Sequence, residues 1–323
     1  MGSNSLRILV SSAGRRVELI QCFRNAAEKL GVPLSVIACD VAPEMSSACR
    51  MADHAFRVPP CDDPDFVKLV ADVARRDEVD LIIPTIDPEL SPYAAAASSF
   101  AREGTRVHVS DEAVIRIARD KLETMKILQA AGVPVPRTVE LDEVRRAADG
   151  WVGPLFLKPK GGSASRLISK VDHVDALPIV ESEPMIVQEY LDGPEFTVNM
   201  FIDQHGVLKC VVIHRRLRVR AGEVEKGRTE HYPALTEIAE AIARALPTAR
   251  GALCFQVIDD PLKGPKVIEI NARFGGGYPL VHHAGAPFAQ WLLEEVSGRP
   301  STAHNHWREG VLMLRYDAAV FDG

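Results

Sequence analysis

The chain has 323 residues, 46% hydrophobic and 25% charged, with a formal net charge of −6. That composition fits a globular protein of about two domains and excludes a disordered chain. The acidic balance and the 6% aromatic content point away from nucleic-acid partners, which require a basic face or stacking rings. No apolar run approaches the roughly 20 residues of a membrane-spanning helix, and Met1 to Ser5 is short and polar, without the apolar core of a secretory signal. The six cysteines contain no C-x-x-C pair, so they read as reduced thiols of a cytoplasmic protein rather than as a zinc or redox motif.

The first hundred residues alternate strand and helix signals. Residues 7–11 are a short apolar run that reads as a buried strand. A turn at Gly14 leads into a helical pattern over 17–30, stopped by Gly31 and Pro33. Further strands are expected at 34–39, 55–58, 81–84 and 106–109, and helices at 65–76 and 89–102. Phe66, Leu69, Val70 and Val73 mark one apolar face of the first of these two helices. Such alternation implies a parallel sheet with helices on both faces, whose ligands sit beyond the carboxyl ends of its strands. Residues 11–16, Asp40 and 85–89 fall at such ends.

Near residue 110 the pattern changes. Ser110 is a cap for a helix from Asp111, and Asp120 caps the next, with Glu123 in place for a capping box. That helix stops at Gly132, and Pro134 and Pro136 force an extended exit. Beyond 150 the strands read as antiparallel. They are expected at 155–159, 186–191 and 195–203, the last turning at 204–206 into 207–214. A helix over 231–246 follows, then strands at 252–259, 266–270 and 311–316. Hairpins with helices describe an α+β region distinct from the first.

The sharpest chemical signal is the run from Val267 to Arg273. On a strand, Glu269, Asn271 and Arg273 share one face. Carboxylate and amide oxygens suit Mg²⁺, and a guanidinium suits phosphate. Gln256, on a neighbouring strand, adds another oxygen. The same row also fits a surface strand with a Glu269–Arg273 ion pair. Gly275, Gly276 and Gly277 weigh against that, because three glycines permit close backbone approach. The second signal is Lys158-Pro159-Lys160-Gly161-Gly162-Ser163, a strand running into a glycine-rich loop that can aim N–H groups at a polyphosphate. It lacks the P-loop order and equally describes a hairpin loop. The third, Gln188 to Leu191 followed by Glu195, offers strand-edge groups to an adenine and a ribose, and is ordinary on its own.

Taken in order with Lys121, these features resemble the ATP-grasp superfamily, and within it the proteins similar to the carbamoyl phosphate synthase large subunit. The resemblance spans nearly the whole chain: Ser11 to Arg16 and Pro84 to Leu90 match the preATP-grasp part of that group, and the segments above match its nucleotide and metal motifs. It implies an α/β and α+β fold, with a parallel-sheet preATP-grasp domain over 1–110 followed by a two-lobed ATP-grasp fold. The small lobe with its glycine-rich loop would cover 111–190, and the large lobe with the metal site 191–323. ATP and Mg²⁺ are the implied cofactors. Lys121 and Lys158 would hold phosphates, Lys158 also lying near adenine, and Lys160 would join them in binding the nucleotide. The loop of Gly161, Gly162, Ser163 and Ser165 would close over the phosphates. Glu189, Tyr190 and Leu191 would meet adenine, and Glu195 the ribose. Gln256, Glu269 and Asn271 would bind metal, and Arg273 would stabilise the transferring phosphoryl group. Arg166, Gln188 and Gln256 depart from the group's commonest residues.

The implied activity is that of an ATP-dependent carboxylate–amine ligase. It would form a C–N bond on an amino acid or other small carboxylate through an acyl phosphate, releasing ADP and phosphate. The alternatives are a carbamoyl-phosphate-synthase-like enzyme that phosphorylates bicarbonate, and a nucleotide-binding regulatory protein without turnover. The expected partners are small-molecule carboxylate and amine substrates, with no nucleic acid and no membrane, and the expected assembly is a homodimer. The acceptor side rests on fewer residues. The cation-rich segment 215–227 places Arg215, Arg218 and Lys226 where they can bind a substrate carboxylate or assist Arg273 in catalysis; it equally describes a solvated basic strand. Arg15, Asp87 and Glu89, at strand ends of the first domain, can read polar groups of a substrate, and Glu89 also fits a helix N-terminal charge.

Overall fold

The computed structural model describes residues 5–147, 150–162, 167–178 and 182–321. The chain opens with β1 (Leu6–Ser11), α1 (Val17–Leu30), β2 (Leu34–Asp40), a short α2 (Ser47–Met51), β3 (His54–Arg57), α3 (Asp65–Arg76), β4 (Leu81–Pro84), α4 (Leu90–Arg102) and β5 (Arg106–Val107). These strands form one parallel sheet in the order β3-β2-β1-β4-β5, as the alternation predicts. Its two faces are read directly from the period of two. Ile8 and Val10 pack with Leu19, Ile20 and Phe23 of α1. Leu9 turns the other way, to Phe66 and Val70 of α3 and Tyr93 of α4. Gly31, at φ +64, ends α1 by donating its N–H to the carbonyls of Ala27 and Glu28, a left-handed cap that glycine adopts without strain.

Two helices follow, α5 (Glu112–Arg119) and α6 (Lys121–Ala130). Asp111, not Ser110, caps α5, its carboxylate accepting from the N–H of Val114 at 2.9 Å. Asp120 caps α6 through the N–H groups of Leu122 and Glu123. The Glu123 side chain pairs with Arg116 instead of closing a capping box. A four-stranded antiparallel sheet, in the order β6-β9-β7-β8, is built from β6 (Thr138–Glu140), β7 (Leu155–Pro159), β8 (Ser169–Val171) and β9 (Met185–Glu189), with α7 (Leu141–Arg146) against it.

The remainder is a six-stranded antiparallel sheet, ordered β14-β13-β10-β11-β12-β15, made of β10 (Glu195–Ile202), β11 (Leu208–Arg220), β12 (Glu223–Thr229), β13 (Gly251–Asp260), β14 (Gly264–Asn271) and β15 (Leu312–Leu314). Helices α8 (Pro233–Ala245), α9 (Tyr278–His283) and α10 (Phe288–Val296) complete it. The basic segment expected as strand and loop is the β11–β12 hairpin, longer than its apolar start signals. One face of this sheet carries Phe196, Val198, Met200, Phe255 and Val257, which close over Leu235, Ile238 and Ile242 of α8. The other face is divided. At one end Phe201, Cys210, Val212 and Ala252 join α1, α9 and α10 in a core centred on Trp291 and Phe288. At the other end the same strands present Thr197, Asn199, His214 and Gln256, joined by Glu269 and Asn271 of β14.

Two further ties fix the first sheet against the third and against α10. The N–H of Ala252 donates to Nε2 of His108 at 2.8 Å, and Arg106 pairs with the buried Glu295 at 2.7 Å. All six cysteines are free thiols. Among the described residues, no helix is long and apolar enough to cross a membrane.

Candidate functional site

Strand register builds the centre of the site. Gln256 on β13 stands opposite Glu269 on β14 and Thr197 on β10, and Cys254 stands opposite Asn271 and Asn199. Side chains in these cross-strand rows share a face. Asn271 donates from Nδ2 to Oε1 of Glu269 at 3.0 Å. Just past the strand, Arg273 donates from Nη2 to Oδ1 of Asn271 at 3.3 Å and to Oδ2 of Asp87 at 2.7 Å. A continuous polar line therefore runs from the first sheet's strand ends, at Asp87, to Glu269. Asp87 holds Arg273 from the opposite lobe, a contact that only long-range folding creates.

Two lysines enter from the other side. Lys158, on β7, is 6% exposed and donates to the carbonyl of Ile268 at 3.1 Å. Burial pushes its pKa down to about 8; nearby Glu269 works against that and Lys121 adds to it. Lys121, in the first turn of α6, donates to the carbonyls of Gly161 and Gly162 at 3.2 and 2.8 Å. Burial also lowers its pKa, against Glu269 and Asp87. Cations this far desolvated favour an anionic ligand that can replace the lost water. The Nε of Arg273 is buried without a partner, a donor free for one more oxygen.

The oxygen set fits a magnesium–polyphosphate pair. Among the described residues no three of His, Cys, Asp and Glu gather to hold a metal by themselves. One carboxylate, Glu269, stands with the amides of Gln256 and Asn271, and such a thin oxygen set suits Mg²⁺ that takes the rest of its ligands from phosphate and water.

The adenine and ribose candidates lie along β9 and β10. Glu189 accepts from the N–H of Arg137 at 3.0 Å and pairs with Lys263 at 3.0 Å. Lys263 also donates to the carbonyl of Tyr190 at 2.7 Å. The Tyr190 ring lies under the Lys170 ammonium, at 4.1 Å, and Leu191 is buried. Glu195 pairs with Arg216 at 2.8 Å. Burial raises the Glu195 pKa, with Arg216 opposing.

Several expectations change. Lys160 lies just past the end of β7 and is spent on Glu140 at 3.0 Å and Asp120 at 3.4 Å. Ser163, Ser165 and Arg166 lie outside the described residues. Glu89 is fully buried: its carboxylate accepts from Ser11 Oγ, Ser12 Oγ and the N–H groups of Thr85 and Ile86 at 2.6, 2.8, 2.6 and 3.1 Å. It shapes the strand ends from below and presents no free oxygen to a substrate. Arg15 is exposed, and Arg16, the N-cap residue of α1, is the one turned inward instead. Arg215 stands opposite Phe196, one residue out of phase with the polar face that carries His214. Arg218 is exposed and pairs with Glu225 at 2.8 Å across the hairpin, with Lys226 in register beside it. Neither joins the line from Asp87 to Glu269. The residue that does interact with Arg273 is Arg16, which in turn leads to Glu223 and Arg315. Arg16 and Glu223 lie 3.4 Å apart, and Arg315 donates to Glu223 at 2.8 Å. Arg15 and Arg16 both precede α1, and no local pattern tells which of the two turns inward. Arg315 reaches the cluster through the pairing of β15 on β12, which no local pattern announces.

Comparisons with known proteins agree with this geometry. A family model described as the PylC-like N-terminal domain matches residues 8–108, and an ATP-grasp domain model matches 118–277. A phosphoribosylamine–glycine ligase from Leifsonia xyli is 28% identical over 215 residues, covering 59% of this chain and 52% of that protein. A carbamoyl phosphate synthase large chain from Thermomicrobium roseum is 25% identical over 326 residues, covering 93% of this chain and 29% of that protein. The chain thus spans about half the length of the first relative and less than a third of the second. Among solved structures, the biotin carboxylase domain dimer of the Hydrogenobacter thermophilus 2-oxoglutarate carboxylase, in complex with MgADP, ADP and bicarbonate, superposes with a TM-score of 0.72 at 18% identity, over 93% of this chain and 71% of that one. The chain belongs to the ATP-grasp family, with a PylC-like N-terminal domain preceding its ATP-grasp domain.

Proposed function

We propose that the protein is an ATP- and Mg²⁺-dependent ligase that joins a small carboxylate, such as an amino acid, to an amine through an acyl phosphate. The observation that carries this reading is the convergence of Lys121, Lys158 and Arg273 on Glu269 and Asn271. Phosphoryl transfer needs positioning and charge neutralisation above all, and this chain supplies both from rigid strand ends. The names of the two relatives support it, since each describes a ligase or synthase of the same kind.

In the first step a substrate carboxylate oxygen attacks the γ-phosphorus, and the bond to the ADP oxygen breaks. In the second the amine nitrogen attacks the acyl carbon, the bond from that carbon to the phosphate oxygen breaks with its electron pair going to phosphate, and the proton lost by the amine leaves on the hydrogen phosphate released. Lys121 and Lys158 hold the phosphate chain. Arg273, oriented by Asp87, faces the transferring group and then the acyl phosphate. Gln256, Glu269 and Asn271 would hold Mg²⁺, which when bound neutralises phosphate oxygens. Glu189 and the Tyr190 and Leu191 backbone take the adenine side, and Glu195 the ribose. The segments 1–110, 111–190 and 191–323 are our working units for this cycle, and a cytoplasmic homodimer is our working assembly.

The test is ADP release from Mg·ATP with amino acids offered singly and in pairs, and with bicarbonate plus ammonia. ADP and equimolar phosphate formed only when carboxylate and amine are both present is the expected result. Mg·ATP binding without ADP from any combination would refute turnover and support the regulatory reading.

A further inference from the structure

The proposed ligase cycle needs a place for its second substrate, and the junction between the parallel sheet and the six-stranded sheet holds a charged cluster the cycle does not use. Arg16 stands at the entry to α1, Glu223 begins β12, and Arg315 follows β15. Arg16 lies within electrostatic reach of two further guanidiniums, Arg273 and Arg315, and the three are satisfied unequally. Arg273 donates to Asp87 at 2.7 Å and to the carbonyl of Phe274 at 3.0 Å. Arg315 donates to Oε2 of Glu223 at 2.8 Å. Among the described residues, Arg16 has only the carbonyl of Thr85 at 3.4 Å and Oε1 of Glu223 at 3.4 Å. Charge-assisted hydrogen bonds run about 2.7–2.9 Å, and a guanidinium carries five donors. With its side chain 17% exposed, Arg16 is thus a mostly desolvated cation whose donors are poorly used and still reachable.

Its neighbour is an anion. Burial works to raise the Glu223 carboxyl, but Arg16 and Arg315 outweigh it and hold the group below its usual range. Arg315 occupies Oε2, which leaves Oε1 beside Arg16. Gly276 forms the wall of this recess: a Cβ there would lie 2.9 Å from Glu223 and 3.1 Å from Arg16, so the bare backbone leaves the pair uncovered.

We infer that Arg16 binds the carboxylate, and Glu223 Oε1 the ammonium, of an amine substrate that is an amino acid, held as a zwitterion beside Arg273. This rests on the ligase reading. A side-by-side cation and anion, each incompletely bonded, complements a zwitterion better than a simple amine, which would leave Arg16 unanswered. It also complements a zwitterion better than a phosphorylated amine, whose dianion Glu223 would repel.

The experiment is calorimetric titration of the full chain, first with Mg·ADP alone and then, with Mg·ADP saturating, with each standard amino acid, its C-terminal amide, and O-phosphoethanolamine. At least one free amino acid is expected to bind about 10- to 100-fold more tightly than its amide. Arg16→Gln should erase that difference while leaving affinity for the amide unchanged, and Arg16→Lys should keep part of it. Melting of the ligand-free variants checks their folding, and the acid-against-amide comparison on the unmodified chain stands without them. Equal binding of acids and amides, preference for O-phosphoethanolamine, silence across all amino acids, or an Arg16→Gln protein that keeps the preference would each overturn the assignment. Failure of Mg·ADP to bind in the first titration would sink the ligase reading itself.

Discussion

Lys158 sits where the interests of folding and of ligand binding oppose each other. Its ammonium is buried beneath the junction of β7 and β14, with the Ile268 carbonyl as hydrogen-bond partner at 3.1 Å. A pKa moved from 10.5 to about 8 by burial corresponds to about 3 kcal/mol of folding free energy spent on keeping the charge. Replacing it by methionine, of similar length and uncharged, removes that penalty and loses one hydrogen bond of about 1 kcal/mol. Lys158→Met should therefore stabilise the ligand-free protein at pH 7 by about 2 kcal/mol, or about 3 °C in a chain of this size. The pH dependence has a definite sign. Below about pH 8 both folded and unfolded chains carry the proton, and the penalty is complete. Between about 8 and 10.5 the unfolded chain keeps a proton the folded one has released, so the wild type gains stability with rising pH. The advantage of the variant should shrink across that window, vanish near about pH 9.5, and give way to a deficit of about 1 kcal/mol at its upper end. Thermal melts of both proteins from pH 6 to 10.5 read this directly, and calorimetry with Mg·ADP should show nucleotide affinity lost in the more stable protein. A methionine variant less stable than wild type at pH 7, with an unchanged pH profile, would refute the reasoning.

Two other substitutions probe different parts of the site. Glu269→Gln keeps the shape of the row and removes its one carboxylate, so turnover in the ligase assay should fall by roughly 10²-fold or more; near-wild-type turnover would break the metal assignment. Glu89→Ala strands four donors at the strand ends of the first sheet and should lower unfolding free energy by about 3 kcal/mol. Glu89→Gln, whose amide oxygen can still face Thr85 and Ile86 while its nitrogen faces two rotatable hydroxyls, should cost about 1 kcal/mol. Equal losses in denaturant titrations of the two variants would remove Glu89 from that role.

Elements with a full period of pattern were legible in the sequence. Helix α1 and helix α3 run where their apolar spacing places them, and β14 carries Glu269 and Asn271 on one face because a strand allows nothing else. The three-residue strands β6 and β8 were not, since so few residues hold no periodicity and form only because β9 and β7 pair with them. The same limit governs the site. Residues gathered by one strand, or by a strand and its hairpin partner, could be foreseen. The ones brought in by a second lobe could not: Asp87 gripping Arg273, Arg16 in place of Arg15, and Arg315 on Glu223 all depend on packing between distant segments. Glu89 was visible as a charge at a strand end, but whether it faced substrate or the interior turned on burial, which a single sequence does not display.

The divided face of the six-stranded sheet ties chemistry to architecture in a way that constrains how this protein can diverge. On β10, β11 and β13 the polar positions of the site alternate in the same register as the residues that lock α1 and α10 in place. An insertion or a slip of one position in any of these strands would turn site residues into the opposite core and apolar residues into the site at once. Descendants with new substrates are thus expected to keep these strands and vary at their margins, where a loop entry supplies Arg16, a strand start Glu223, and the segment after β15 Arg315. Change in specificity can accumulate there one residue at a time, without unfolding what holds the phosphate.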